Sequence, residues 1–162
     1  MNKSEKTNVM RVLEQKKINY ISHTYTQDAS TSGDEIARIL GENPSQVFKT
    51  LVTRGKTGQY YVFVVPVEAE LDLKKAAKAV NEKSIEMIKQ KELLPLTGYI
   101  HGGCSPIGMK KQFKTVIHKT AMDFDTIFFS AGKVGYQVEV NPKDLDKVFK
   151  YTLEDIIVNE HT

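Results

Sequence analysis

The chain has 162 residues, 40 % of them hydrophobic and 27 % charged, with a formal net charge of +3. That is an ordinary globular balance, and the length fits one domain over residues 1–162 that buries a core without staples. A single cysteine excludes an internal disulfide, the longest apolar stretch ("YYVFVVPV") is too short to span a bilayer, and the charge is too small to announce nucleic-acid binding by itself.

The opening "MNKSEKTNVM" is polar and lacks the apolar run of a signal peptide; with the lone thiol this gives the expectation of a cytoplasmic protein. Val9, Val12 and Leu13 recur at i, i+3, i+4 and predict a first helix. "NYISHTY" predicts a strand. Ser32 and Glu35 have capping-box spacing ahead of a short helix with Ile36, Ile39 and Leu40 as its buried face and Gly41 as its stop. "QVFKTLVTRGKTGQYYVFVVPV" reads as a hairpin with Gly55 and Gly58 at its tip. Asp72 caps a helix that turns Leu73, Ala76, Ala77 and Val80 inward and Lys74, Lys75 and Lys78 outward. "SIEMI" is a short strand, and a weaker helix covers residues 90–94. "KTVIHKT", "DTIFFSAG" and "YQVEVN" are three further strands, and Pro142 opens a closing helix with Leu145, Val148 and Phe149. This order predicts an α+β domain: a mixed, mainly antiparallel sheet, curled or barrel-like, with flanking helices. It argues against a doubly wound parallel sheet.

Chemistry concentrates in "TGYIHGGCSPIGMKK", from Thr97 to Lys111, which holds four of the ten glycines, the only cysteine and paired lysines. Gly102, Gly103 and Gly108 let backbone N–H groups turn toward a ligand, although a tight turn is the commoner use of such residues. Cys104 has His101 three residues away, but catalytic thiol–imidazole pairs usually meet from distant segments. "SAGKVG", from Ser130, repeats the glycine–lysine theme and is too loose for a phosphate-binding P-loop. Lys49 shares its strand face with Val47 and Leu51; it either snorkels to a sheet edge or reaches into a pocket toward an anionic or carbonyl oxygen. His23, His101, His118 and His161 show no H-x-x-x-H pair, so zinc lacks support, and no G-x-S-x-G elbow occurs. Glu68, Glu70 and Asp72 read as a solvated acidic edge. Lysines cluster at Lys74, Lys75 and Lys78 and again at Lys110, Lys111 and Lys114; bordering one cleft, they would meet a phosphate backbone.

Taken together, "HTY" at His23, "GDE" at Gly33, "VFKTL" around Lys49, "LDLKKAAKA" from Leu71, "TGYIHGGCSPIGMKK" and "SAGKVG" resemble the YbaK/EbsC family of cysteinyl-tRNA(Pro) deacylases, within the prolyl-tRNA synthetase editing-domain superfamily. The resemblance runs from the first helix to the last. It implies a trans-acting enzyme, without metal or cofactor, that cleaves cysteine from mischarged tRNA(Pro), and from tRNA(Cys) as a further substrate. The substrate's own thiol would attack its ester carbonyl. It also implies roles: Lys49 as electrostatic anchor, Gly102 and Gly103 amides as an oxyanion cradle, and Tyr25, Thr50, Pro106 and Ser130 as substrate contacts. Lys74, Lys75, Lys78, Lys110 and Lys111 would meet tRNA, and Cys104 would be a passenger. The implied partners are cysteinyl-tRNA(Pro) and prolyl-tRNA synthetase, with no membrane. The alternatives are an alanyl-tRNA(Pro) deacylase of the same superfamily and a non-catalytic module that binds the tRNA acceptor end or a synthetase. The chain departs from the family's pattern at Ser32, where an aromatic is frequent, at Gln137, where some members carry an acid, and at Met109, which replaces a glutamine.

Overall fold

The computed structural model describes residues 6–26 and 32–159; His161 lies outside them. Helix α1 (Asn8–Gln15) begins where the Thr7 side chain accepts a hydrogen bond from the Met10 N–H, and it buries Val9, Met10 and Leu13. Strand β1 (Tyr20–Thr24) follows. Helix α2 (Gly33–Leu40) is capped as expected, with Ser32 Oγ accepting from the Glu35 N–H and donating to Glu35 Oε1. Its buried face differs from the expected one: Ala37 is fully buried, whereas Ile39 is 47 % exposed. The helix rests Ala37 on Val47 and Phe128, which turns Ile36 toward a cavity rather than a core.

Strands β2 (Phe48–Gly55) and β3 (Tyr60–Pro66) form the expected hairpin, in register from Phe48↔Pro66 to Arg54↔Tyr60. Helix α3 (Leu73–Ala79) is capped by the Asp72 carboxylate, which accepts from the Lys74 and Lys75 N–H groups at 3.0 Å each. Then come β4 (Ile85–Met87), α4 (Gln90–Thr97), β5 (Lys114–His118), β6 (Ile127–Ser130) and β7 (Tyr136–Val140). The C-terminal region departs from expectation. Pro142–Lys147 is a 3-10 helix capped by Asn141, and the chain closes on a strand, β8 (Tyr151–Glu154). Leu145 and Phe149 are buried as the helical pattern required. Beyond them "YTLE" favours extended backbone and pairs in parallel with β5, covering what would otherwise be an open edge.

One sheet has the order β1-β7-β6 and is antiparallel throughout. The other has the order β4-β2-β3-β5-β8, antiparallel across β4, β2 and β3 and parallel across β3, β5 and β8. The sheets touch through the Val47–Phe128 bridge and do not close into a barrel. The architecture is α+β with mixed sheets, as the motif order predicts. The main core lies between the sheets and under α1, where Leu13, Val62, Val64, Ile117, Phe129 and Val138 meet. On the far face of the larger sheet, Phe63, Val65 and Val116 pack against Ala76 and Ala77 of α3 and Val80 just after it. Strand β3 is thus covered on both sides, which is why it reads as an unbroken apolar run. Among the described residues, no helix is long and apolar enough to cross a membrane.

Candidate active site

Backbone pairing opens the site. Val67 N–H donates to Val47 O at 2.8 Å and Gly55 N–H to Gln59 O at 2.8 Å. These two bonds set the phase of the β2–β3 ladder, so odd-numbered residues of β2 bond to β3 and even-numbered ones face the opposite edge. On that edge Gln46 O accepts from Phe128 N–H of β6 at 3.1 Å, and Val52 O accepts from Ile88 N–H just after β4 at 3.3 Å. Thr50 falls between them. There β6 and β4 diverge. The Thr50 Oγ1 is buried and unpartnered.

A cavity of about 250 Å³ opens at this gap. Phe48, Lys49, Thr50 and Leu51 of β2 form one wall and Gly33 and Ile36 of α2 another. His101, Gly102 and Cys104 close it from the glycine-rich loop, opposite Ser130, Tyr136, Gln137 and Tyr25. Lys49 is therefore a pocket residue. Burial pulls the pKa of its ammonium below the ordinary lysine value, against the opposing pull of Asp34 and Glu70. Among the described residues no ion pair or hydrogen bond holds that ammonium, so it presents a positive charge to whatever enters.

The loop's glycines divide their work. Gly102 takes a backbone φ of +88°, the third position of a turn closed by the Gly103 N–H donating to Ile100 O at 3.0 Å. The Gly103 amide is thereby committed, which corrects the expectation that it joins an oxyanion cradle. A Cβ on Gly103 would stand 3.2 Å from the Val134 nitrogen and 3.4 Å from Lys133 backbone atoms. Its role is close packing of the two glycine loops. The amides of Gly102 and Cys104 have no acceptor among the described residues and border the cavity. Pro106 is a second correction. The chain turns inward after Cys104 to seat Ile107 in the main core, leaving Pro106 buried and off the cavity wall.

Cys104 reaches the cavity, but burial pushes its thiol up to about 12, so the sulfur stays protonated and weakly nucleophilic. Ser130 Oγ accepts from the Gly132 N–H at 3.0 Å, leaving its O–H free to donate. Tyr25 is pinned through its N–H to Gly135 O at 3.0 Å, and burial raises the pKa of its phenol.

Of the five lysines expected to meet tRNA, only Lys110 and Lys111 lie on the segment that closes the cavity, and both are exposed. Lys75 Nζ is engaged with Asp155 Oδ2 at 3.2 Å and Ile157 O at 2.9 Å, tying down the C-terminal segment. Lys74 and Lys78 border a separate groove with residues 81–85, because α3 packs on the far face of the larger sheet. The two lysine clusters do not share the cavity, which corrects that expectation.

Two residues absent from the expected site stand behind its wall. Gln137, only 3 % exposed, donates its Nε2–H to Glu42 Oε1 at 2.9 Å. Gln137 Oε1 and Glu42 Oε2 are buried without partners. Burial raises the pKa of the Glu42 carboxyl, and Glu139 adds to this while the Gln137 hydrogen bond and His23 oppose it. Glu139 itself holds His23 Nε2 at 2.9 Å and accepts from Thr126 Oγ1 at 2.6 Å. No periodicity or spacing signals Glu42, which lies in the loop after α2.

An aminoacyl-tRNA editing domain profile matches residues 26–148. The chain belongs to the aminoacyl-tRNA editing domain family. Among its relatives, the Enterococcus faecalis protein named "Putative Cys-tRNA(Pro)/Cys-tRNA(Cys) deacylase EbsC" is 46 % identical over 140 residues, 86 % of this chain and 85 % of that one. A stretch of the proline–tRNA ligase of Fervidobacterium nodosum is 30 % identical over 86 residues, 53 % of this chain and 15 % of the ligase. A solved structure described as "a putative trans-editing enzyme for prolyl tRNA synthetase" superposes with a TM-score of 0.79 at 22 % identity, covering 93 % of this chain and 95 % of that one. The last likeness is one of fold. The editing-domain architecture thus agrees with the α+β class and the family expected from the motifs.

Proposed function

We propose that this editing-domain protein is a trans-acting aminoacyl-tRNA deacylase that removes cysteine from tRNA(Pro), and also from tRNA(Cys), without using a nucleophile of its own. One observation carries the reading. Lys49, whose ammonium has no ion pair or hydrogen bond among the described residues, lines one small cavity with Gly102 and Cys104, and the thiol there is held in its unreactive, protonated form. The relative named as a cysteinyl-tRNA deacylase supports the substrate. The ligase relative supports tRNA(Pro) and an association with prolyl-tRNA synthetase.

The volume of about 250 Å³ lies below the roughly 300–1,000 Å³ of drug-sized pockets and suits a small acyl group, with the terminal adenosine at the mouth. Bound there, the cysteinyl side chain is folded back on its own ester. Its sulfur attacks the carbonyl carbon, and the new C–S bond drives charge onto the carbonyl oxygen. The Gly102 and Cys104 N–H groups and the Lys49 ammonium stabilise that oxyanion. Collapse breaks the C–O bond to the ribose. The departing oxygen takes up the proton that the thiol gave up, and a four-membered cyclic thioester leaves for hydrolysis by water. Thr50 and Ser130 hydroxyls orient the acyl group, Tyr25 bounds it, and Lys110 and Lys111 meet the acceptor phosphates. A size sieve separates groups differing by a methylene by only about 1–3 kcal/mol; a reaction that needs the substrate's thiol separates them by chemistry.

The test is tRNA release from cysteinyl-, seryl- and alanyl-tRNA(Pro) at equal enzyme. Cysteinyl-tRNA should react at least about 10²-fold faster, since the others lack the intramolecular nucleophile. Equal cleavage of the seryl ester would replace the thiol route with water attack. Preference for the alanyl ester would move the protein to the alanine-editing branch.

A further inference from the structure

The segment from Thr97 to Lys111 is a closed loop, and one side chain ties it from within. Lys110 N–H donates to Thr97 O at 3.0 Å and shuts the neck. Thr97 Oγ1 donates to Leu93 O at 2.7 Å and accepts from the Tyr99 N–H at 3.0 Å, which fastens the neck to α4. The Tyr99 hydroxyl then donates to Ile107 O. Ile107 is fully buried in the main core, so this bond ties one limb of the loop to a fixed point. Residues 100–106 lie between the two tied positions and carry the Gly102 turn and Cys104, which border the cavity. Among the described residues this span takes part only in local hydrogen bonds, Gly103 N–H to Ile100 O at 3.0 Å and Ile107 N–H to Ser105 Oγ at 3.3 Å. Its place is therefore set by the tied limbs and by packing. The Tyr99 ring supplies packing too. A Cβ on Gly132 would stand 3.0 Å from Tyr99 Cε1, and one on Gly108 2.7 Å from Tyr99 Oη. The ring thus lies against both glycine-rich segments that contribute to the cavity wall. Burial pushes the Tyr99 phenol up to about 12, with Cys104 adding to it, so the hydroxyl stays protonated and remains a donor at neutral pH.

We propose that Tyr99 is a positioning residue: its hydroxyl bond to Ile107 O, with its ring set against Gly132, fixes where the Gly102 and Cys104 N–H groups stand at the cavity. The inference rests on the deacylase reading for what those amides do, while the loop's dependence on Tyr99 stands without it. An oxyanion donor acts only when it lies about 2.7–3.1 Å from the charge that develops. A misplacement of about 1 Å costs on the order of 10²-fold. The other walls of the cavity, from β2, α2 and Ser130 of β6, lie outside the loop. They hold the acyl group whether or not the loop is tied. Loss of the tie therefore falls on the chemical step and spares ground-state binding.

Tyr99→Phe keeps the ring and removes the hydroxyl. Single-turnover tRNA release from cysteinyl-tRNA(Pro) should slow by about 10–100-fold. Calorimetric affinity for 3′-cysteinylamino-3′-deoxyadenosine, whose amide linkage resists cleavage, should stay within about two-fold. Amide hydrogen exchange followed by NMR gives a readout that needs no activity. The Gly103 and Lys110 N–H groups, which close the turn and the neck, should exchange about 10-fold faster or more, with Val62 and Val64 of β3 unchanged. Thr97→Val cuts the neighbouring tie to α4, leaves the Tyr99 hydroxyl bond in place and should cost less rate than Tyr99→Phe. Tyr99→Phe turnover within a few-fold of wild type would overturn the proposal. So would rate and probe affinity falling in parallel, unchanged exchange at Gly103, or a larger rate loss from Thr97→Val. Failure of the deacylase reading is separately visible: the wild-type protein would release no tRNA from any ester, while the exchange difference at Gly103 would still decide the part played by Tyr99.

Discussion

Lys49 offers the sharpest test, because its two consequences run in opposite directions. Replace it with methionine, which keeps the stem and removes the charge. In the cavity, a cation about 4 Å from a developing oxyanion at an effective dielectric near 20 is worth roughly 4 kcal/mol. At about 1.4 kcal/mol per decade that is close to 10³-fold in rate, at the upper end of the 10²–10³ lost with one oxyanion donor. Stability should move the other way. Burial lowers the pKa of Lys49 in the folded state, so folding at neutral pH carries the cost of a poorly solvated charge, relieved only as pH rises through that lowered value. Lys49→Met removes the cost. The expected variant has kcat for cysteinyl-tRNA(Pro) down by 10²–10³ and a Tm equal to or above wild type, measured by single-turnover tRNA release and calorimetry. Turnover within a few-fold of wild type would refute the electrostatic role. A Tm lowered by several degrees would refute the claim that the ammonium is unpaired, since it would reveal a structural partner.

Three other outcomes follow from neighbouring residues. Cys104→Ala should keep most turnover, because the thiol is protonated and no base is hydrogen-bonded to it among the described residues; a folded but inactive variant would restore an enzyme-thiol mechanism. Gly103→Ala should cost about 1–3 kcal/mol in denaturant titration, as its Cβ would press on the Val134 nitrogen at 3.2 Å. An unchanged unfolding midpoint would show that the two glycine loops part freely. His118 gives a pH signature. It is buried, its Nδ1 accepts from the Ile156 N–H at 3.3 Å, and burial lowers its pKa despite the favourable pull of Asp155, with Lys119 and Lys75 lowering it further. The unfolded chain then binds the proton more readily. Stability should fall as pH drops below about 6.5 and level off beneath the lowered folded value. His118→Gln should flatten that slope in a Tm-against-pH series.

Local signals carried most of the fold. Thr7, Ser32 and Asp72 cap the helices that periodicity places after them. The alternating and apolar runs form the strands. The final strand escaped because the helical spacing of Leu145, Val148 and Phe149 is met by a 3-10 helix over Pro142–Lys147 and the turn after it, and because β8 owes its place to the parallel edge of β5, a pairing of residues 36 positions apart. Tertiary placement also separated the lysine clusters. No feature of "LDLKKAAKA" says that its helix packs on the far face of the sheet, or that Lys75 is consumed by Asp155. In the same way, "HGGC" supplies two glycines without saying which amide is already bonded.

What marks the site, in the end, is incomplete pairing rather than any motif. The cavity opens beside Thr50, where β6 and β4 part along the edge of β2, and leaves room for a small molecule between two sheets. Such an opening would ordinarily cost stability and fill with an apolar side chain. Here its lining includes Lys49, whose ammonium has no ion pair among the described residues, and the glycine-rich turn at Gly102. A poorly solvated ammonium is unfavourable alone and suits an occupant that brings an anionic or carbonyl oxygen. A cavity built this way gains its affinity by relieving its own unmet groups. It therefore discriminates against ligands that lack a matching atom far more strongly than against ligands of the wrong size. For an editing domain facing amino acids that differ by a few atoms, that is the available route to selectivity. It places the burden on the substrate to bring the thiol and the ester oxygen together.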